Sequence, residues 1–159
     1  MSRQAHLPTP ERMTVIALPD PVVEGRGHRP GSPYIEHVWL STLGPASTWM
    51  WTRLARLAAA RPSTLIDMPD LAASLGLGTE LGPNSTISRT LARVVWFDAA
   101  QRAGDTLAVR TALADLPARR VARLPASARL AHQHLATGPA IPVRASEHEA
   151  VQVAEGVAL

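Results

Sequence analysis

The chain has 159 residues, room for one domain with a sizeable core, and its apolar share of 46% is ordinary for a globular protein. It contains no Cys, which excludes disulfides, thiolate metal sites and cysteine nucleophiles, and no apolar run long enough to span a membrane. All 16 basic residues are Arg and the net charge is +3, unevenly spread: residues 45–135 carry eleven Arg against six acids, residues 136–159 one Arg against three Glu.

The first ten residues are polar, charged or Pro where a secretion signal would be apolar, so a cytoplasmic location is expected. Residues 1–32 contain Pro8, Pro10, Pro19, Pro21 and Pro30 and read as an extended or disordered arm. Within it, residues 13–18 (MTVIAL) can form an isolated strand. Residues 33–40 predict a short helix with Tyr34, Ile35, Val38 and Trp39 toward the core, stopped by Gly44-Pro45. Pro45 then lies at the start of a longer helix over 46–60. Its apolar side is Trp49, Trp51, Leu54, Leu57 and Ala58; Trp49 and Trp51, two residues apart, cannot both face inward.

Residues 63–66 read as a small strand. Asp67 then caps a helix over 67–75, with Pro69 in its first turn and Leu71, Ala72 and Leu75 inward. Gly76-Leu77-Gly78 supplies the left-handed turn that ends it. After a polar loop, Asn84 or Ser85 caps a second helix running to about Trp96. Its inward face is Ile87, Leu91, Val94 and Val95, and its outward face includes Ser85, Ser88, Arg89, Ala92 and Arg93. Residues 97–102 and 106–113 read as antiparallel strands joined at Ala103-Gly104-Asp105. Further helices are expected from Leu116-Pro117 and over 126–136, the last with Leu130 and Leu135 inward; residues 137–159 read as a flexible tail.

Helix, strand, helix, tight turn, helix and hairpin is the element order of a winged helix-turn-helix, here mainly α within an α+β class and spanning 33–136. In such a domain the small strand pairs with the wing. That order points to a protein that binds double-stranded DNA, as a transcriptional regulator, with a homodimer reading two half-sites. Base reading falls to the start of the second helix, Asn84, Ser85, Ser88 and Arg89, where Arg89 fits guanine O6 and N7 and Asn84 either pairs with adenine or serves only as a cap. Arg93 anchors that helix, and Arg102 and Arg110 on the hairpin meet phosphate. The alternative is a winged-helix protein-interaction module without DNA affinity, in which Arg89 and Arg93 are solvated surface.

No enzymatic constellation stands out, and no cofactor or metal is expected. His132-Gln133-His134 points its rings in different directions on a helix, with no third ligand at metal-binding spacing. Asp67 and Asp70 fit the first turn of a helix better than a paired-carboxylate site. Gly76-Leu77-Gly78 lacks the Lys and spacing of a phosphate loop.

The motifs Ser32 through Leu40 with Leu43-Gly44-Pro45, Asn84-Ser85 through Arg93, Gly104 through Arg110, and Leu124-Pro125 followed by His132 resemble a group of small actinobacterial proteins with a winged-helix core. The resemblance spans roughly residues 32–134 and implies one folded unit. It brings no activity with it; DNA binding follows only from the general winged-helix likeness.

Overall fold

The computed structural model describes residues 7–138. In chain order these form β1 (Arg12–Ala17), α1 (Pro21–Arg26), a π-helical turn (Ile35–Trp39) running into α2 (Leu40–Leu43), α3 (Pro45–Ala60), β2 (Thr64–Asp67), α4 (Met68–Ser74), α5 (Thr86–Trp96), β3 (Ala100–Ala103), β4 (Thr106–Val109), α6 (Ala118–Val121) and α7 (Ala126–Leu135). The fold is α+β, with one mixed four-stranded sheet in the order β2-β1-β4-β3. No helix among the described residues is long and apolar enough to cross a membrane.

β1 is the principal departure from the sequence reading. The strand expected at residues 13–18 forms, but as an interior strand of the sheet and not as an isolated piece of an extended arm. It pairs antiparallel with β2, Arg12 opposite Asp67 and Val15 opposite Thr64. On its other edge it runs parallel to β4, Thr14 opposite Thr106 and Ala17 opposite Val109. Met13 and Val15 are buried on one face of the pleat, the two-residue alternation of a strand with one face on a core. β2 is therefore separated from the hairpin by β1, where the sequence reading paired the two directly. The folded unit begins well before residue 33, and Thr9 already bonds through its N–H to the Leu81 carbonyl at 2.9 Å. Most of the expected tail lies outside the described residues. Thr137 and Gly138, which are described, donate their N–H groups to Asp115.

The hairpin is shorter than its sequence suggests, because α5 and its exit use residues up to 99. Gly104 has φ 59° in the two-residue turn, as a tight hairpin demands. Asp98 also has positive φ, 57°, and makes the left-handed step from α5 into β3. Asp is one of the few side chains that tolerates this conformation.

α4 and α5 form where local signals place them. The Asp67 carboxylate accepts the Asp70 N–H at 2.9 Å, and Ser85 Oγ accepts the Ser88 N–H at 3.2 Å. Each cap satisfies a donor that the first turn leaves unbonded. Ile87, Leu91 and Val94 are fully buried against a core shared with Trp51, Leu54, Met13 and Leu107, and Val95 is half-buried. The π-helical turn ends with the Leu40 N–H on the Ile35 carbonyl and buries Ile35, Val38 and Trp39 together. Trp39 Nε1 reaches the Ala114 carbonyl and Trp51 Nε1 the Arg110 carbonyl, both at 2.9 Å, so each buried indole has a partner. Of the two tryptophans competing for the inner side of α3, Trp51 is buried and Trp49 is 60% exposed. Leu130, expected inward on α7, is 55% exposed; Ala128 occupies the buried position.

Candidate nucleic-acid interface

α5 packs its apolar side on α3 and leaves the opposite side to solvent. Arg89 and Trp96 lie seven residues apart on that side, with Arg93 between them at the four-residue spacing that aligns side chains on a helix. With the start of α3 these residues bound a groove of about 630 Å³. Its lining includes Leu43, Pro45, Ala46, Thr86, Trp96 and Phe97, with Arg89 and Arg93 as its charged residues and no carboxylate. Neither α3 nor α5 contains an acidic residue.

The expected contact residues separate into two groups. Asn84 and Arg89 are exposed, Ser85 is half-buried as the helix cap, and the Arg89 guanidinium makes no hydrogen bond or ion pair among the described residues. Ser88, expected outward, is 3% exposed. Its Oγ lies 2.7 Å from Thr9 Oγ1, accepts from Ser85 Oγ and donates to the Leu81 carbonyl. The incoming N-terminal segment covers this end of α5, which is why a small hydroxyl sits at an inward position.

The other three arginines are engaged within the fold. Arg93 donates from Nε to the Leu43 carbonyl at 2.7 Å and from a terminal nitrogen to the Thr42 carbonyl at 2.6 Å, closing the end of α2 with a cation where the helix dipole favours one. Arg102 bonds the Gly104 and Pro8 carbonyls and ties the hairpin tip to the N-terminal segment. Arg110 pairs with Asp20 and Asp98, each at 2.8 Å, and also donates to the Asp98 carbonyl at 2.7 Å. Arg53 and Arg56 lie elsewhere, beside Asp67 and Asp70. The arginines of the helix-hairpin segment therefore do not gather on one surface.

Trp96 and Phe97 extend the groove at its far end. Trp96 is 67% exposed, against the usual preference of an indole for burial. Phe97 is half-buried, with the Arg93 guanidinium 5.3 Å and the Arg120 guanidinium 4.4 Å from its ring centre. Both distances are within cation–π range. The Arg89–Arg93–Trp96 spacing was the available signal for this stripe; the tryptophan was hidden by the general tendency of indoles to be core.

A second polar cluster lies apart from α5. His28 Nε2 is 2.6 Å from Asp115 Oδ1, and its ring stacks on Tyr34 with centres 3.9 Å apart. Tyr34 Oη accepts the Leu116 N–H at 2.9 Å and lies 2.7 Å from His132 Nδ1. Burial pushes the Tyr34 phenol up to about 12, against the Leu116 bond and with the Asp115 charge adding to the rise. Burial also disfavours the Asp115 carboxylate, but bonds from His28, Thr137 and Gly138 outweigh it and hold the group below its usual 3.8. This cluster joins the loop before the π-helical turn, the loop after β4 and α7. No group of three or more metal-binding side chains occurs among the described residues.

Compared with known protein families, curated proteins and solved structures, the chain matches none.

Proposed function

We propose that this protein binds DNA as a winged-helix regulator, with the exposed side of α5 against the nucleic acid. The observation that carries the reading is the groove beside α5, where Arg89 stands exposed and unpaired and no carboxylate opposes a phosphate. The succession α3, β2, α4, α5, β3, β4 supports it, being the element order of a winged helix with β1 added between the small strand and the hairpin. The contact set is then narrower than the sequence suggests: Asn84, Thr86 and Arg89 meet the DNA, with Ser85 contributing its cap. Arg93, Arg102 and Arg110 hold the scaffold.

Binding to a random-sequence duplex across a salt series tests this. Affinity should fall steeply with salt, by a slope of about 0.9 per phosphate neutralised. Arg89→Ala should lower affinity by roughly ten-fold, as loss of one good base or phosphate contact does. Absent or salt-insensitive binding would overturn the reading. Exposure of both Trp49 and Trp96 favours a second reading, a protein-interaction module. It predicts no DNA binding at any salt concentration.

A further inference from the structure

Trp96 is unusual in its setting. It is the last residue of α5 and two-thirds exposed, and it lines the carboxylate-free groove that contains Arg89. Beside it, Phe97 is clamped under Arg93 and Arg120, which fixes the backbone from which the indole projects. Trp96 also borders a second groove, lined by Arg119 and Arg120. That groove also carries three carboxylates: Asp20 and Asp98 share the single Arg110 guanidinium and Asp115 bonds His28, so its charge is balanced and the carboxylate-free side is the Arg89 groove. An exposed indole beside the carboxylate-free Arg89 groove suits an unpaired nucleobase, stacked on the ring while an adjacent phosphate meets Arg89.

We infer that Trp96 is a base-stacking platform, and that the preferred ligand is DNA with an unpaired stretch adjoining a duplex. This rests on the nucleic-acid reading above and specifies its substrate. Along the helix axis, Arg89 and Trp96 are separated by about 10 Å, seven residues at 1.5 Å each. A nucleic acid that reaches both therefore meets two separate points on one side of α5, a cation and a stacking surface. An acidic peptide is the competing ligand for a groove of this charge. The indole N–H can donate to a carboxylate, but the ring face is matched by a nucleobase and not by a carboxylate, and stacking is what favours the base.

The test is fluorescence anisotropy with three labelled DNAs of matched length: a blunt duplex, a single strand, and a duplex with a single-stranded overhang. Wild type should bind the overhang DNA roughly ten-fold tighter than the blunt duplex, the range of one base–aromatic stack. Trp96→Ala should abolish that preference, while Trp96→Phe keeps most of it. Trp49→Phe removes the other exposed indole and should change no affinity. In that variant, overhang DNA should quench the tryptophan emission, and adding Trp96→Phe should remove the quench, leaving only the emission of the buried Trp39 and Trp51. Equal binding of blunt and overhang DNA, or a preference that survives Trp96→Ala, would overturn the stacking role and leave the duplex reading standing. Binding only to single strands, lost in Trp96→Ala, would keep the stacking role and remove the duplex reading. No binding to any of the three removes both, as does quenching by a polyglutamate peptide but not by DNA.

Discussion

The guanidinium of Arg110 serves three acceptors at once: the Asp20 carboxylate, the Asp98 carboxylate and the Asp98 carbonyl. The last two hold Asp98 in its left-handed conformation, so Arg110 fixes the direction in which the chain leaves α5. Arg110→Ala should destabilise the protein by about 2 kcal/mol, the range for losing hydrogen bonds made by a charged group, measured by urea unfolding. Asp98→Gly should cost less, because Gly adopts the same φ without strain and offsets part of the lost ion pair. Tyr34→Phe isolates a different contribution. It leaves the Leu116 N–H, buried beneath the ring, without its acceptor, and should cost about 1–3 kcal/mol. None of these partners was legible in the sequence. A guanidinium that ends on backbone carbonyls reads the same as one that faces solvent, and Arg93, Arg102 and Arg110 were all assigned to DNA for that reason.

Among the elements, those with local signals were recovered and those defined by distant partners were not. Asp67, Pro69 and the Gly76-Leu77-Gly78 turn specify α4 within a dozen residues, and Ser85 with the Ile87–Leu91–Val94 spacing specifies α5. Their caps form as the sequence predicts, and Leu71, Ala72, Ile87, Leu91 and Val94 are buried as expected, whereas Leu75 and Val95 are half-buried and Ser88 turns inward. β1 has no such signature. The apolar run at 13–18 is legible as a strand, but as an isolated one, and its status as an interior strand depends on β2, about 50 residues away, and on β4, farther still. The shorter hairpin has the same cause, since Arg110 and the Asp98 turn take residues that alternation alone assigns to strands. If β1 is integral, Thr14→Pro should abolish cooperative unfolding or cost at least about 3 kcal/mol. The substitution removes the Thr14 N–H that reaches the Asp105 carbonyl at 2.9 Å. A variant with an unchanged thermal midpoint would mean that the strand is dispensable.

Over the whole molecule, Asp115 links three distant parts of the chain, accepting from His28, Thr137 and Gly138. Its carboxyl is held below 3.8 in the folded state. The stability it contributes is therefore complete above its unfolded value and is lost as pH falls through the lower folded value. Wild type should lose stability on acidification, and Asp115→Asn should be less stable at neutral pH yet show a shallower decline between about pH 5 and pH 2. Unfolding midpoints across that interval measure the difference; parallel curves would remove Asp115 from the acid response.

The parallel contact between β1 and β4 also bears on synthesis. Ribosomes deliver the chain from its N-terminus. β1 emerges first, finds β2 as its antiparallel partner some 50 residues later, and must wait for Thr106–Val109 before its other edge is covered. During that interval a nascent chain carries a half-paired Met-Thr-Val-Ile edge, the kind of open strand that recruits neighbouring chains. A release factor or stop codon acting before residue 106 would leave that edge permanently open, so truncated products of this gene should be far more prone to aggregate than the loss of a small hairpin would suggest.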